Sequence, residues 1–374
     1  MDNKFFDCAI IGGGLAGLTL AVQLVDAGHS VVMFEKEKYP FHKVCGEYIS
    51  MESYDFLERL GIPLSAMNLP MINEVKISAP NGNAITRKLD LGGFGITRYT
   101  LDSMLASLAR KKGVVLLEEV KVSELNFENE IFTIQTTSNS YQAKLAVGAY
   151  GKRSNMDNKL ERGSSKNKKN YIGIKYHVKL DFPDNRIELH NFKNGYCGIS
   201  KVDGDKYCLC YLTDSQNLRE NGNDIKTMEQ NVLMKNTLLK KYFTEAIFLY
   251  DKPLTISQIT FEKKGSVEGN VLMIGDSAGN IAPLCGNGMS LAMRSSFEVF
   301  QLIEKYLGNK ISRETLERDY EKRWNKLFSN RIRAGKYLQY LFGREFLTNI
   351  SIGALKKIPA LADKLIRTTH GSKF

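Results

Sequence analysis

Four residues near the amino terminus have the types and spacing that dinucleotide binding requires. Gly12, Gly14 and Gly17 form a G-x-G-x-x-G motif, and the acidic residue Glu35 follows later. Gly12 suits a tight turn, Gly14 lets the backbone approach a pyrophosphate, and Gly17 allows close packing of helix on strand. A carboxylate at the place of Glu35 accepts hydrogen bonds from a ribose diol. This motif alone fits either NAD or FAD.

The elements that must position these residues are predicted around the motif. Residues 6–11 are a short apolar run typical of a buried strand, residues 18–25 repeat apolar residues with a helical period, and residues 29–34 predict a second strand. The resulting βαβ unit places the motif where free N–H groups of a helix bind phosphate. Ala16 within the motif and Lys36 after the second strand are therefore also expected to contact the cofactor.

A second glycine-rich segment follows a predicted strand at residues 270–274. NAD alone does not need a second junction of this kind, so the pair of motifs favours FAD. Asp276 fits hydroxyl groups of the ribityl or ribose unit, and the helix predicted to start near Gly288 fits the pyrimidine end of a flavin. A reduced flavin is negatively charged there, and a helix N-terminus stabilises that charge. The cofactor-binding residues expected in this segment are Gly275, Asp276, Gly286, Asn287, Gly288 and Met289.

With two further segments, these motifs resemble the flavoprotein family that includes aromatic-ring hydroxylases, flavin-dependent halogenases and geranylgeranyl reductases. The further segments are residues 43–47, with the sequence KVCGE, and Arg98 with Asp102 and Leu105. The KVCGE segment is most similar to geranylgeranyl reductases, and the whole resemblance covers most of residues 1–300. It implies bound FAD and an α/β fold in which a Rossmann-like FAD-binding domain has a parallel sheet. A mostly antiparallel substrate sheet covers the cavity, and a helical region follows at the C-terminus.

The resemblance also implies roles for single residues. Lys43 and Arg98 contact the cofactor, and Cys45 lies beside the isoalloxazine as the candidate catalytic residue. Cys45 would shape the cavity wall or help to protonate the carbon opposite the hydride; the alternative is a cysteine that only packs. Thr100 is the predicted N-cap of the helix that follows Arg98.

Two departures from the family pattern limit the function. Tyr150 stands where many members carry an aspartate linked to NAD(P)H use, so NAD(P)H is one candidate electron donor among others. The Trp-x-Trp-x-Ile-Pro stretch of halogenases is missing, and the single tryptophan is Trp324 far downstream. This absence argues against halogenation.

Pattern and resemblance together predict a division of the chain into alternating segments. The FAD-binding domain is expected at residues 1–75, 96–158 and 263–305, the substrate domain at 76–95 and 159–262, and a basic helical region at 306–374.

Other chemically suggestive residues are predicted to be structural. Cys197, Cys208 and Cys210 fit no common zinc spacing, so we expect core cysteines and no metal site. His177 and His190 are expected to be hydrogen-bonded strand residues. Six cysteines in 374 residues are too sparse for a disulfide scaffold, which indicates a reducing, cytoplasmic location.

Positive charge is concentrated at the C-terminal end. Residues 322–374 carry twelve Lys/Arg and two Asp/Glu, a net charge of +10 out of +11 for the chain. This region is either a solvated helical surface or a face that meets an acidic membrane surface or carrier protein. No nucleic-acid motif accompanies the charge, so nucleic acid is not an expected partner. The apolar residues that could add an edge to this face are Leu341, Phe342, Phe346, Leu347, Ile350 and Ile352.

These observations predict an FAD-dependent oxidoreductase that acts on an apolar or aromatic small molecule, either free or bound to a carrier protein. It would either reduce a carbon–carbon double bond or hydroxylate its substrate as a monooxygenase. The isoalloxazine carries out the difficult chemistry in both reactions, so the motifs do not decide between them. The alternative is a non-catalytic flavoprotein, either a redox sensor or a subunit that docks to a membrane or carrier.

Overall fold

The computed structural model describes residues 5–152, 154–160, 162, 170–259, 264–279, 286–342, 344–369 and 371–374. The strands, numbered in chain order, are β1 (Phe5–Ile11), β2 (Val31–Phe34), β3 (Tyr48–Ser50), β4 (Met71–Ser78), β5 (Ala84–Gly95), β6 (Val115–Leu117), β7 (Val122–Glu128), β8 (Ile131–Thr136), β9 (Ser140–Gly148), β10 (Tyr171–Lys179), β11 (Arg186–Phe192), β12 (Gly195–Val202), β13 (Lys206–Asp214), β14 (Ile247–Phe248), β15 (Leu254–Ile259), β16 (Val267–Glu268) and β17 (Val271–Met273). The helices are α1 (Leu15–Asp26), α2 (Tyr54–Leu60), α3 (Arg98–Lys111), α4 (Asn155–Lys159), α5 (Ser215–Glu220), α6 (Ile225–Asn231), α7 (Thr237–Glu245), α8 (Gly288–Leu307), α9 (Arg313–Phe342), α10 (Glu345–Lys357) and α11 (Pro359–Thr369).

The first sheet has the strand order β16-β17-β9-β1-β2-β6, and its central pairs are parallel. Helix α1 connects β1 to β2, as the βαβ pattern predicts. In the register, Ile11 lies opposite both Phe34 and Gly148, so β1, β2 and β9 end at the same edge. Residues that follow these strands therefore meet there, which is the usual place for a ligand in an open α/β sheet.

The second sheet is mostly antiparallel and has the order β14-β10-β13-β12-β11-β4-β5-β3. One face of β10 packs on α6 and α7, since Ile174, Tyr176 and Val178 share a core with residues of those helices. Lys175 and His177 alternate with them and point to the other face, where they contact residues 43–47. This face is therefore the one turned toward the glycine-rich turns.

The C-terminal helices complete the structure. Helix α8 packs beside α1, where the hydroxyls of Thr19 and Ser296 are 2.7 Å apart. Helix α9 buries Tyr320, Trp324 and Phe328. None of the helices in the described ranges is long and apolar enough to cross a membrane. The two sheets and the helical end agree with the predicted fold class.

Candidate functional site

The glycine turn after β1 is closely packed on one side and open on the other. Gly12 has φ +110°, and a Cβ there would lie against the backbone of Ala149. A Cβ at Gly17 would collide with the carbonyl of Gly12, which explains the requirement for glycine at both positions. At Gly14, by contrast, the nearest described atom to an added Cβ is Arg98 Nη2 at 3.9 Å. The backbone at Gly14 is thus accessible to a ligand such as a pyrophosphate.

Helix α1 and Glu35 provide the polar groups around this opening. Helix α1 begins at Leu15 without a side-chain cap or an acidic residue in its first turn, so its N–H groups and dipole suit an anion. The buried Glu35 accepts hydrogen bonds from the backbone N–H of Gly13 (2.8 Å) and of Glu37 (3.0 Å), which fix its carboxylate beside the turn. Lys36 lies next to it with 72% of its side chain exposed.

The second glycine motif contacts the first. Gly275 has φ +59°, and a Cβ there would lie 3.1 Å from the Cβ of Ala16. The backbone N–H of Gly275 donates to Ser295 Oγ at 2.8 Å, which fixes the turn on α8. Asp276 is half-buried, with Lys152 Nζ at 3.9 Å. The structure therefore joins two motifs that lie far apart in the sequence.

The N-terminus of α8 lies beside Cys45. Gly286 has φ +66°, a left-handed conformation that glycine adopts most easily, and Asn287 is the buried N-cap of the helix. The helix starts at Gly288 with no acidic residue in its first turn. Cys45 Sγ lies 3.6 Å from Met289 Sδ. A helix N-terminus and a half-buried thiol thus form adjoining parts of one site.

Arg98 and Lys43, which are partly exposed, form a charge cluster with the buried Asp102 next to Gly14. Arg98 donates two hydrogen bonds of 2.7 Å to the Asp102 carboxylate, and Lys43 Nζ lies 3.0 Å from its second oxygen. Burial would raise the pKa of Asp102, but Arg98 and Lys43 outweigh burial and lower it. The predicted N-cap Thr100 is wrong. The cap is Thr97, which has extended backbone and accepts from the N–H of Thr100, whereas Thr100 is already helical.

A second buried charge cluster was not predicted as a site. The Glu47 carboxylate lies 2.5 Å from Lys175 Nζ and 2.6 Å from His177 Nε2, and all three residues are buried. Lys175 Nζ also donates to the carbonyl of Lys43 at 3.1 Å. The sequence did contain a signal, because Lys175 and His177 alternate with three buried apolar residues of β10.

Glu47, His177 and Cys208 offer three potential metal ligands within 4.8 Å of one another. Two observations disfavour a metal there. The Lys175 ammonium already contacts the Glu47 carboxylate, and burial raises the pKa of Cys208 well above its usual value. The Cys208 thiol instead donates to the carbonyl of Cys45 at 3.2 Å.

The other residues that were predicted to be structural are packed in the protein or form hydrogen bonds. Cys197 is buried, and burial raises the pKa of the half-buried Cys210 to about 12. His190 Nδ1 lies 2.8 Å from Ser78 Oγ, so this histidine is hydrogen-bonded as expected. The hydroxyl of Tyr150 lies 3.3 Å from Met273 Sδ, at the edge where the first sheet ends.

The residues present fit FAD. Two helix N-termini without an acidic residue in the first turn, the accessible backbone at Gly14 and the fixed carboxylate of Glu35 all suit a dinucleotide. Within the described residues, Lys43 links residues 43–47 to Asp102, and Cys45 links them to Met289. The turns at Gly275 and Ala16 lie side by side.

Comparisons with known proteins support FAD binding. A family described as "FAD binding domain" matches residues 6–327. The conditioned medium factor receptor 1 of Dictyostelium discoideum is 24% identical, with 88% of this chain and 69% of that protein covered. The digeranylgeranylglycerophospholipid reductase of Methanococcus vannielii is 23% identical over 96% of this chain and 97% of that protein. The kynurenine 3-monooxygenase of Flavobacterium johnsoniae is 21% identical, with coverages of 80% and 72%.

A solved structure has the same fold. The flavin-dependent brominase Bmp2 superposes with a TM-score of 0.79 at 18% sequence identity. The match covers 98% of this chain and 93% of the brominase. At this identity the likeness concerns the fold, and it confirms the predicted combination of a parallel sheet, an antiparallel-rich sheet and C-terminal helices.

Proposed function

Because the chain belongs to the FAD binding domain family and is an FAD-dependent oxidoreductase, we propose that it reduces carbon–carbon double bonds in an apolar, polyprenyl-type chain. We base this proposal on the position of residues 43–47, because Cys45 in this segment contacts the first turn of α8. The digeranylgeranylglycerophospholipid reductase, similar along nearly its whole length, supports the substrate class. FAD and an oxidoreductase were both predicted and are confirmed. A non-catalytic flavoprotein is not favoured.

The proposed roles follow from the contacts. Gly12, Gly14, Gly17 and Glu35 would hold the ADP half of FAD, with Ala16 and Lys36 beside them. The cofactor would be contacted between its ADP half and its flavin by Arg98, Lys43 and Asp276. Its flavin end would be bound by Gly275 and by the turn at Gly286, Asn287, Gly288 and Met289. Reduced FAD, when bound, supplies the hydride. Cys45 would form the cavity wall and hold the proton that the second carbon needs. NAD(P)H stays one candidate for the electron donor, since Tyr150 replaces the usual aspartate.

The reaction is tested by rapid mixing of the reduced, FAD-loaded protein with substrates in the absence of oxygen. A lipid with geranylgeranyl chains should reoxidise the flavin and gain two hydrogens per double bond, as measured by mass spectrometry. A saturated phytanyl lipid serves as the control. Reoxidation that requires oxygen together with an aromatic compound would instead identify a monooxygenase and contradict the reductase proposal.

Cys45 is tested in the same assay with Cys45→Ser and Cys45→Ala. If Cys45 lies beside the flavin, both variants should bind FAD and shift its visible spectrum. If it also holds the proton, anaerobic reoxidation by the lipid should slow by about 10²–10⁴-fold. Cys197→Ala, which changes a buried cysteine of the second sheet, is the matched control. Unchanged spectra in both Cys45 variants would place Cys45 away from the flavin.

We also propose that the C-terminal helices contact an anionic membrane, where a polyprenyl substrate would be found. Helix α10 exposes Phe346 and Ile350 one turn apart, with 74% and 54% of each residue accessible, and ends in Lys356 and Lys357. Exposed apolar residues beside basic ones suit an anionic lipid surface. Ile352, which the sequence placed on this edge, is buried because it points inward from α10. The side chains of Leu341 and Phe342 lie outside the described part, and the cytoplasmic location stays a prediction.

A further inference from the structure

The segment 43–47 is attached at both ends to buried charged side chains. At one end, Lys43 Nζ lies 3.0 Å from Asp102, which also binds Arg98. At the other end, the Glu47 carboxylate lies between Lys175 and His177 of the second sheet. The candidate catalytic residue of this segment, Cys45, lies between these two anchors.

Further hydrogen bonds hold the segment against β10, β13 and α3. Lys175 Nζ donates to the carbonyl of Lys43 at 3.1 Å, and Cys208 Sγ donates to the carbonyl of Cys45 at 3.2 Å. The Glu47 carboxylate also accepts from the backbone N–H of Arg98 at 2.9 Å, which ties it to the start of α3. The segment is thus held on one side by β10 and β13 and on the other by α3.

The backbone of Glu47 indicates that these contacts impose its position. Its φ is +55°, in the left-handed region that is unfavourable for a residue with a Cβ. Such conformations persist where the surroundings determine them, and they cluster at functional sites. Here the surroundings are the ammonium and imidazole groups that hold the carboxylate.

Glu47 and Lys175 both have pKa values that favour their charged forms, although both residues are buried. Burial would raise the pKa of Glu47, but His177 and Lys175 outweigh it and lower that pKa. Burial would lower the pKa of Lys175, but neighbouring groups including Glu47 raise it instead. Because desolvation offsets most of the attraction in a buried ion pair, such a pair is weak evidence of a stabilising role.

We propose that Glu47, Lys175 and His177 are positioning residues that hold Cys45 against the flavin and thereby set the surroundings of the flavin ring. The inference rests on the proposed FAD site, but it does not depend on which substrate is reduced. Lys175 acts through the carbonyl of Lys43 and through Glu47, and His177 fixes the second carboxylate oxygen. Neither residue needs to contact the substrate.

The first test replaces Lys175 with methionine, which keeps a similar shape but removes the ammonium. In the FAD-loaded protein, we expect alkylation of Cys45 by iodoacetamide, followed by mass spectrometry of its peptide, to become about tenfold faster as the segment opens more often. The flavin spectrum and midpoint potential should shift as well. Lys179→Met is the matched control, since Lys179 lies on the same strand with 52% of its side chain exposed and pairs only at the surface with Asp205.

A second variant keeps the proposal testable if Lys175→Met does not fold. Glu47→Gly removes the carboxylate while placing glycine at a left-handed position, so the backbone conformation itself is not penalised. It should give the same faster alkylation and the same shifts of the flavin. A folded variant of either kind with alkylation, spectrum and potential equal to wild type would overturn the proposal. If these readouts move but the wild-type protein reduces no lipid, the proposed reaction fails and the positioning role stands.

Discussion

Cys45 Sγ lies 3.6 Å from Met289 Sδ, although 244 positions separate the two residues. The contact joins the segment after the βαβ unit to the first turn of α8. It brings residues 43–47 to a helix N-terminus, which is a place that stabilises negative charge. Two motifs that were identified independently in the sequence therefore contact each other.

Gly14→Val should abolish FAD binding. The added side chain would fill the accessible space over the Gly14 backbone, where the pyrophosphate is expected, and would also approach Arg98. The measurement is the ratio of flavin to protein absorbance after purification, together with a melting curve. Gly353→Val is the control, because no described atom lies within 4 Å of an added Cβ at that position. A Gly14→Val protein with a full complement of flavin would refute the assignment of this turn.

Asp102→Asn should lower the free energy of unfolding by about 3–5 kcal/mol, the usual result of breaking a buried ion pair. The substitution leaves the Arg98 and Lys43 cations close together without their common carboxylate. Asp26→Asn is the control, because Asp26 pairs with Lys112 at the surface and should contribute only about 0.2–1 kcal/mol. Urea unfolding followed by fluorescence gives both values. Equal losses in the two variants would contradict a buried network at Arg98.

The glycine motifs could be predicted because their requirements are local. A phosphate-binding turn needs particular backbone conformations at adjacent positions, so its residue types are visible along the chain. The Glu47–His177 pair could not be predicted in this way, since its partners are 130 positions apart and meet only through the register of the second sheet. Alternation along β10 indicates that Lys175 and His177 share a face, but it does not say which carboxylate they contact.

Smaller errors have the same origin. Thr97 and Thr100 are equally good capping residues by type, and only the backbone conformation of Thr97 decides between them. Ile352 was placed on an exposed edge because charge and apolar residues alternate closely in this region. In the structure it faces inward with Leu355, while Phe346 and Ile350 face outward.

Glu188 should make the stability of the protein sensitive to acid. Burial would raise its pKa, but His190, Tyr242 and Lys76 outweigh burial and lower it from 4.5 to about 2. A carboxyl group with a lowered pKa in the folded state stabilises the fold above its unfolded pKa, and this contribution is lost as the pH falls. The stability gap between wild type and Glu188→Gln should therefore be constant near neutral pH and narrow between about pH 4.5 and pH 2. Glu245→Gln, which changes an exposed residue of the neighbouring helix α7, is the control. A constant gap for Glu188→Gln over the whole pH range would contradict the prediction.

The C-terminal face should bind anionic vesicles in a salt-dependent manner. Lys356→Gln with Lys357→Gln removes two charges from the end of α10, and about 1 kcal/mol per basic residue near an anionic surface predicts a loss of tenfold or more in affinity. Phe346→Ala with Ile350→Ala removes the apolar contact and should weaken binding that persists at high salt, where charge attraction is screened. Lys240→Gln with Lys241→Gln, two exposed lysines on α7, is the control. Vesicle co-sedimentation over a salt series provides the measurement. Equal binding to neutral and anionic vesicles, or binding to an acidic carrier protein but not to vesicles, would contradict a membrane as the partner of this face.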